Sequence, residues 1–124
     1  MKIEQRKWAG NVGRLPATSG NIAKSAQLVL MFGATAKLRK PDLVAAIRKD
    51  YPAAHIFGCS TAGEIRGTQV SDDSLVVTEA QFEHTPFRSA EINMSQTPDS
   101  FSAGEAIAQK LPRSVRNAAA GAEE

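Results

Sequence analysis

The chain has 124 residues, of which 42% are hydrophobic and 23% are charged, and its formal net charge is +2. This length has room for one domain, and the composition is ordinary for a globular protein. A charge of +2 is too small to indicate a nucleic-acid-binding surface. We therefore expect no nucleic acid among the partners of this protein.

Cysteine usage and hydropathy indicate where the protein works. Cys59 is the only cysteine, so no intrachain disulfide can form, which fits a reducing compartment. No apolar run approaches the roughly 20 residues of a membrane-spanning helix. The N-terminus also lacks the apolar stretch of a secretory signal. Together these features predict a cytoplasmic protein without membrane insertion.

Residues 1–26 are interpreted as an N-terminal arm. Lys2 to Trp8 alternates weakly between apolar and charged side chains, which predicts an edge strand. Residues 9–21 contain Gly10, Gly13, Pro16 and Gly20, a composition typical of a loop. Trp8, at the border of the two, is expected to anchor or cover the core.

A strand, a helix and a second strand follow. Gln27 to Phe32 is apolar at every position after the glutamine, which predicts a strand covered on both faces. Between Pro41 and Pro52, apolar residues recur every four positions, as on one face of a helix. His55 to Phe57 then predicts a second buried strand, which breaks at Gly58. This order predicts a βαβ unit with two parallel strands.

The second half of the sequence predicts a hairpin. Ser74 to Phe82 indicates a strand, and residues 83–86 have the composition of a turn. Phe87 to Met94 alternates in polarity, so we expect it to be the hairpin partner of the preceding strand.

A helix and a tail are predicted to follow the hairpin. Thr97 is the expected N-cap of this helix, and Pro112 ends it. Its expected apolar side is formed by Phe101, Gly104, Ile107, Ala108 and Leu111. Residues 112–124 are rich in alanine and charge and are interpreted as a disordered tail. The predicted fold class is α/β in a mixed α+β arrangement, with helices packed on a mixed sheet.

The candidate ligand-binding site lies where the second parallel strand is expected to end. Ligands of open α/β sheets bind at the carboxyl ends of parallel strands, and the small residues 33–36 should end the neighbouring strand. Glycines and small hydroxyl residues leave backbone N–H groups free to meet a ligand. The candidate residues are Gly58, Cys59, Ser60, Thr61, Ala62, Gly63 and Glu64.

The same residues suggest which ligand would bind. Neither Gly-x-x-x-x-Gly-Lys-Ser/Thr nor Gly-x-Gly-x-x-Gly is present, so a nucleotide is not indicated. Glu64 can meet an ammonium group, while Ser60 and Thr61 offer hydroxyl donors and acceptors. An amino acid, a small carboxylate or another small polar molecule would suit these groups.

Two enzymatic alternatives use Ser60 or Cys59. Gly58 to Ala62 approaches the Gly-x-Ser-x-Gly elbow of hydrolases, but Ala62 replaces the last glycine. Cys59 would need a base to lower its pKa, and His55 stands roughly 13 Å away along the same strand face. We therefore interpret Cys59 as a small buried thiol and expect a protein that is not an enzyme.

The sequence does not predict a metal site, and it leaves haem as the one cofactor to consider. The two histidines and one cysteine have no zinc-ligand spacing, so we expect no metal site. Haem stays open, because one axial histidine in an apolar pocket is enough to hold it. His84, beside an apolar strand, is the better candidate for that ligand.

The sequence resembles the FIST N-terminal domain from about Gln27 to Leu111. The most distinctive match is the contiguous segment Gly-Cys-Ser-Thr-Ala-Gly-Glu-Ile at positions 58–65. The supporting segments are Leu28–Phe32, Leu43–Tyr51, Ser74–Val77 and Ala90–Ala106. Since members of this family are longer, the resemblance implies a partial or truncated member spanning residues 27–111.

This resemblance implies a sensory domain of bacterial intracellular signal transduction. Such domains are expected to bind small ligands, among them amino acids, and to act on a histidine kinase, a cyclic-dinucleotide enzyme or a chemoreceptor. Haem-dependent sensing of nitric oxide, with control of a histidine kinase, is an alternative that the resemblance also implies. If strand edges stay exposed in so short a chain, self-association is expected as well.

Overall fold

The apolar stretches that predict strands form a four-stranded sheet in the computed structural model, which describes residues 1–9 and 22–112. The chain divides into two units, Met1–Phe87 and a second that begins at Arg88. The elements of the first unit are β1 (Lys2–Ala9), β2 (Leu28–Gly33), α1 (Thr35–Leu38), α2 (Pro41–Asp50), β3 (His55–Ser60), β4 (Glu64–Arg66), β5 (Gln69–Ser71) and β6 (Ser74–Gln81). The predicted mixed α/β class is confirmed.

The strand order of the large sheet is β1-β6-β2-β3. β2 and β3 are parallel and are joined through α2, so the predicted βαβ unit is confirmed. β6 runs antiparallel to both β1 and β2. The strand predicted at Lys2 to Trp8 lies at one edge of the sheet, as expected, and β3 lies at the other.

One face of the sheet carries the hydrophobic core. Val29 and Met31 of β2 and Leu75 and Val77 of β6 pack with Ile47 and Tyr51 of the α2 segment. Leu43 and Trp8 also pack against this cluster. The four-residue spacing predicted for α2 and the anchoring role predicted for Trp8 are therefore confirmed.

The opposite face of the sheet is more open. The side chain of Phe32 on β2 is 38% exposed, and that of Phe57 on β3 is 42% exposed. The prediction that both parallel strands are covered on both faces is therefore wrong. The connecting helix packs against one face of the strands it joins, and β3 is also an edge strand, so its outer side has no neighbour among the described strands.

The predicted hairpin between Ser74–Phe82 and Phe87–Met94 is wrong in its second strand. β6 forms as expected, but β1 and β2 occupy both of its edges, so neither edge is free for residues 87–94. Phe87 instead stacks its ring on that of Phe82 at 5.9 Å and lies 5.2 Å from the ring of His55. The structure does contain a hairpin, formed by β4 and β5.

The second unit contains a short 3₁₀ turn at Met94–Gln96 and helix α3 at Ser100–Lys110. Asp99 caps α3, since its Oδ1 accepts a hydrogen bond from the Ser102 N–H at 2.7 Å. The predicted cap, Thr97, is therefore wrong: its hydroxyl donates instead to the carbonyl of Met94. An acidic cap one residue before the first helical turn also suits the helix dipole.

The apolar side predicted for α3 is also wrong. Ala103 is the buried residue of this helix, whereas Phe101 is 82% exposed. Residues two apart point to opposite sides of a helix, so Ala103 and Phe101 cannot share a face.

The predicted disorder of the tail after Pro112 and the predicted loop at residues 10–21 lie outside the described residues. Within the described ranges, no helix is long and apolar enough to cross a membrane.

Candidate ligand-binding site

A break was predicted at Gly58, but the strand β3 continues through this residue to Ser60. The N–H of His55 donates to the Gln27 carbonyl at 2.8 Å, and the N–H of Thr61 donates to the Gly33 carbonyl at 3.0 Å. Between these two bonds the parallel register with β2 is unbroken. The expectation that Gly58 interrupts the strand is therefore wrong, although the ends of β2 and β3 do lie side by side.

Glu64 is buried and fixed by three hydrogen bonds. Its side chain is 1% exposed. One oxygen accepts from the Thr61 hydroxyl at 2.9 Å, and the other accepts from the N–H and the hydroxyl of Ser74 at 3.1 and 2.6 Å. Glu64 thereby ties β4 to the end of β3 and to the start of β6.

These contacts determine the charge of Glu64. Burial alone would raise the pKa of its carboxyl, but the hydrogen bonds from Ser74 and Thr61 outweigh burial, and the pKa is lowered. Donors that are already in place stabilise the ionised form. Glu64 is therefore a carboxylate at neutral pH, and it places a negative charge beneath the surface at this point.

A cavity of about 400 Å³ lies above Glu64, between the open face of the sheet and the β4–β5 hairpin. This volume is within the range of small-molecule sites. The lining combines apolar, hydroxyl and amide side chains with one carboxylate and has no lysine or arginine among the described residues. It is formed by Gln5, Phe32, Thr61, Gly63, Glu64, Ile65, Val76 and Thr78.

The polar lining is held in place by bonds within the protein. The side-chain amide of Gln5 donates to the Thr78 hydroxyl at 3.1 Å, and its carbonyl oxygen accepts from the Gly67 N–H at 3.3 Å. Gln5 thus connects β1, β6 and the turn of the hairpin. Groups that are oriented before binding reduce the entropy that a ligand must give up.

The structure separates the predicted site residues into two groups. Thr61, Gly63 and Glu64 line the cavity. Gly58, Cys59 and Ser60 belong to the exposed strand β3, and the side chain of Ala62 is exposed. The predicted segment therefore contributes one wall of the cavity, and its first half lies along the sheet edge instead.

Five lining residues were not predicted. Ile65 directly follows the predicted segment, and the other four are Gln5, Phe32, Val76 and Thr78. These four come from β1, β2 and β6, which the strand order makes neighbours although β6 is far from both β1 and β2 in sequence. The alternation of side chains along a strand was the sequence pattern that could have indicated these lining residues, since it places Val76 and Thr78 on one face. Alternation does not show which face of a sheet stays open.

Cys59 is exposed, so its interpretation as a buried thiol is wrong. It pairs with Phe32 on the open face of the sheet, next to the edge. His84 lies in an exposed bend. Within residues 1–9 and 22–112, no group of three or more His, Cys, Asp or Glu side chains is placed to hold a metal ion.

The FIST N domain family model matches residues 27–122, so the chain belongs to this family. The suspected resemblance is thereby confirmed. FIST domains are sensory domains of signal transduction, and a general sensory role follows for this chain. A comparison with curated proteins found no match, and neither did a comparison with solved structures.

Proposed function

We propose that this chain is a non-enzymatic, cytoplasmic sensory domain that binds a small ligand in the cavity between the open sheet face and the β4–β5 hairpin. The observation that carries the proposal is the buried Glu64 carboxyl, held by hydrogen bonds from Thr61 and Ser74 below a cavity whose lining has apolar and hydroxyl side chains. Membership of the FIST N domain family supports a sensory role for such a site.

The lining favours a small amphipathic ligand with an ammonium group, such as an amino acid. Among the described lining residues Glu64 supplies the charge, and it is negative. The Oε1 atom of Glu64 accepts one hydrogen bond, from Thr61, so a second donor can still be accepted there. Phe32, Ile65 and Val76 would contact the apolar part of the ligand. A dicarboxylate without an amine would meet no cation and should bind more weakly.

Ligand binding would be transmitted through the β4–β5 hairpin. This hairpin forms one wall of the cavity, and Ile65 and Val70 on it are 63% and 72% exposed. A ligand that touches Ile65 would favour the hairpin position seen here over others, which is how a sensor shifts its population. A histidine kinase, a cyclic-dinucleotide enzyme or a chemoreceptor would read that change.

A thermal-shift screen tests this function. Purified protein would be heated with each common amino acid, with small carboxylates lacking an amine, and with haemin. A ligand that binds only the folded state stabilises it by about 2.7 kcal/mol at a hundredfold excess over its Kd. We expect a rise in Tm with at least one amino acid and a smaller rise with the carboxylates.

Two matched variants locate the site. Ile65 and Val70 are directly opposite each other in the hairpin, and of the two Ile65 lines the cavity. Ile65→Ala should therefore weaken the ligand-induced shift, whereas Val70→Ala should leave it intact. Equal shifts in both variants, or no shift with any amino acid, would contradict the proposal.

A shift with haemin that His84→Ala removes would support the haem alternative instead.

The enzymatic alternative has its own test. A serine- or cysteine-directed covalent probe should label Ser60 or Cys59 stoichiometrically and faster than a free side chain if either is an activated nucleophile. We expect Cys59 to react only at the rate of an ordinary exposed thiol, and Ser60 not to react.

A further inference from the structure

The strand β3 has an open outer edge. It is the last strand of the sheet order β1-β6-β2-β3, so among the described strands only β2 pairs with it. Phe57, Gly58, Cys59 and Ser60 are all exposed. An unpaired strand edge offers backbone donors and acceptors to another strand.

The hydrogen bonds to β2 show which groups point outward. His55 and Thr61 direct their N–H groups toward β2, at Gln27 and Gly33. Backbone groups alternate along a strand, and the register between these two bonds is continuous. The N–H and C=O groups of Ile56, Gly58 and Ser60 therefore point away from the sheet.

This edge lacks the features that usually prevent strand pairing. β3 reads His-Ile-Phe-Gly-Cys-Ser and contains no lysine, arginine, aspartate, glutamate or proline. The opposite edge strand, β1, carries Lys2, Glu4, Arg6 and Lys7 along its length. Charged residues discourage edge-to-edge association, so β1 is protected in a way that β3 is not.

We propose that β3 pairs antiparallel with β3 of a second copy of this chain, around a two-fold axis beside Gly58. In that register Gly58 exchanges both of its hydrogen bonds with its own counterpart. Ile56 and Ser60 of one copy exchange theirs with Ser60 and Ile56 of the other. The three outward residues are thus all paired, as a self-complementary dimer interface requires.

Other registers use fewer of these groups. Moving the axis to Phe57 or to Cys59 leaves an outward residue at one end of β3 without a partner inside the strand. The proposed register also places Phe57 opposite Cys59 of the second copy, on the open face of the sheet. A thiol beside an aromatic ring is a favourable contact. The two four-stranded sheets would join into one continuous sheet.

A register-specific disulfide tests this dimer. Phe57→Cys places a new thiol opposite the native Cys59 of the second copy, in a non-hydrogen-bonded pair with Cα atoms about 4.5 Å apart. This distance is within disulfide range. On mild oxidation we expect a covalent dimer in non-reducing electrophoresis. Mass spectrometry should then find the introduced thiol joined to Cys59.

His55→Cys is the matched control. It also adds one thiol to the same face of β3, but that thiol would lie opposite Thr61 of the second copy, away from Cys59. We expect this variant and the wild type to stay uncross-linked under the same conditions. Cross-linking of His55→Cys to the same extent, or of the wild type through two Cys59 residues, would overturn the proposed register.

A charge pair provides a test without cross-links. The double variant Phe57→Lys, Cys59→Lys places a lysine at position 57 of each copy opposite a lysine at position 59 of the other. This repulsion should raise the dimer Kd measured by sedimentation by roughly tenfold or more. Phe57→Lys with Cys59→Glu places opposite charges in the same positions and should restore association. A wild type that sediments as a monomer and a Phe57→Cys variant that does not cross-link would overturn the proposal.

Discussion

Ser74 donates two hydrogen bonds to the same oxygen of Glu64, from its N–H at 3.1 Å and from its hydroxyl at 2.6 Å. Ser74 opens β6 and Glu64 opens β4, so this contact fixes the hairpin to the large sheet. Both residues are buried. The position of one wall of the candidate cavity therefore depends on a bond between a serine and a carboxylate.

Ser74→Ala should lower the free energy of unfolding by about 1–3 kcal/mol, because the buried Glu64 loses a donor that nothing replaces. Urea denaturation followed by circular dichroism measures this change. Ser60→Ala is the control, since its exposed side chain should contribute under about 0.5 kcal/mol. Equal stability of the two variants would mean that the Glu64 contact does not hold the hairpin.

The stability that Glu64 contributes should depend on pH in a defined direction. Its folded pKa is lowered, so the unfolded chain binds more protons at acidic pH. This contribution is complete above the pKa of a glutamate in the unfolded chain and is lost as the pH falls through the lower folded pKa. In urea titrations from roughly pH 6 to pH 3, the Glu64→Gln variant should lose less stability than the wild type. A steeper loss in the variant would contradict this sign.

Arg6 and Glu79 form a buried ion pair between β1 and β6. The Arg6 Nε atom lies 2.6 Å from Oε1 of Glu79, and the two side chains are 5% and 0% exposed. Arg6→Met should cost about 3–5 kcal/mol because Glu79 is left buried without its partner. The double variant with Glu79→Leu should cost less than the sum of the two single variants. Additive costs in chemical denaturation would show that the pair is not coupled.

Gly58 should not tolerate a side chain, even though the strand passes through it. A Cβ atom there would lie 2.6 Å from the Met31 carbonyl oxygen and 2.9 Å from the Met31 Cβ. Gly58→Ala should therefore destabilise the protein by about 1–3 kcal/mol through overpacking.

Gly104 on α3 is the matched control for that substitution. A Cβ atom at this position would meet nothing within 4 Å. Gly104→Ala should stabilise the helix by about 0.5–1 kcal/mol, because alanine loses less backbone entropy. Thermal unfolding of the two variants should therefore change in opposite directions, and a shared direction would contradict the packing described for Gly58.

Gly58 also shows what the sequence could predict and what it could not. A glycine after an apolar run predicts a break in the strand. Here the glycine is required because the neighbouring backbone at Met31 lies too close for a side chain. A glycine that ends a strand and a glycine that allows two strands to approach closely look the same in the sequence. Only the packing of β2 against β3 shows that Gly58 is of the second kind.

The cavity was predictable in one wall only. The spacing of strand, helix and strand predicted the parallel pair and the position of Thr61 to Glu64 beside it. Ser74, which donates to Glu64 beside Thr61, and the opposite wall with Val76 and Gln5 come from β6 and β1, which approach through the pairing of β1, β2 and β6. Strand order depends on long-range pairing, which local patterns do not encode.

Ligand binding in the cavity above Glu64 is tested most directly by amide chemical-shift mapping in NMR. The amino acid with the largest thermal shift would be titrated into labelled wild-type protein. We predict the largest shifts at Gln5, Thr61, Ile65 and Thr78, around the cavity, with little change at Gly58, whose backbone groups point to the outer edge of β3. Saturable shifts confined to β3, with none at the cavity residues, would contradict a ligand site above Glu64.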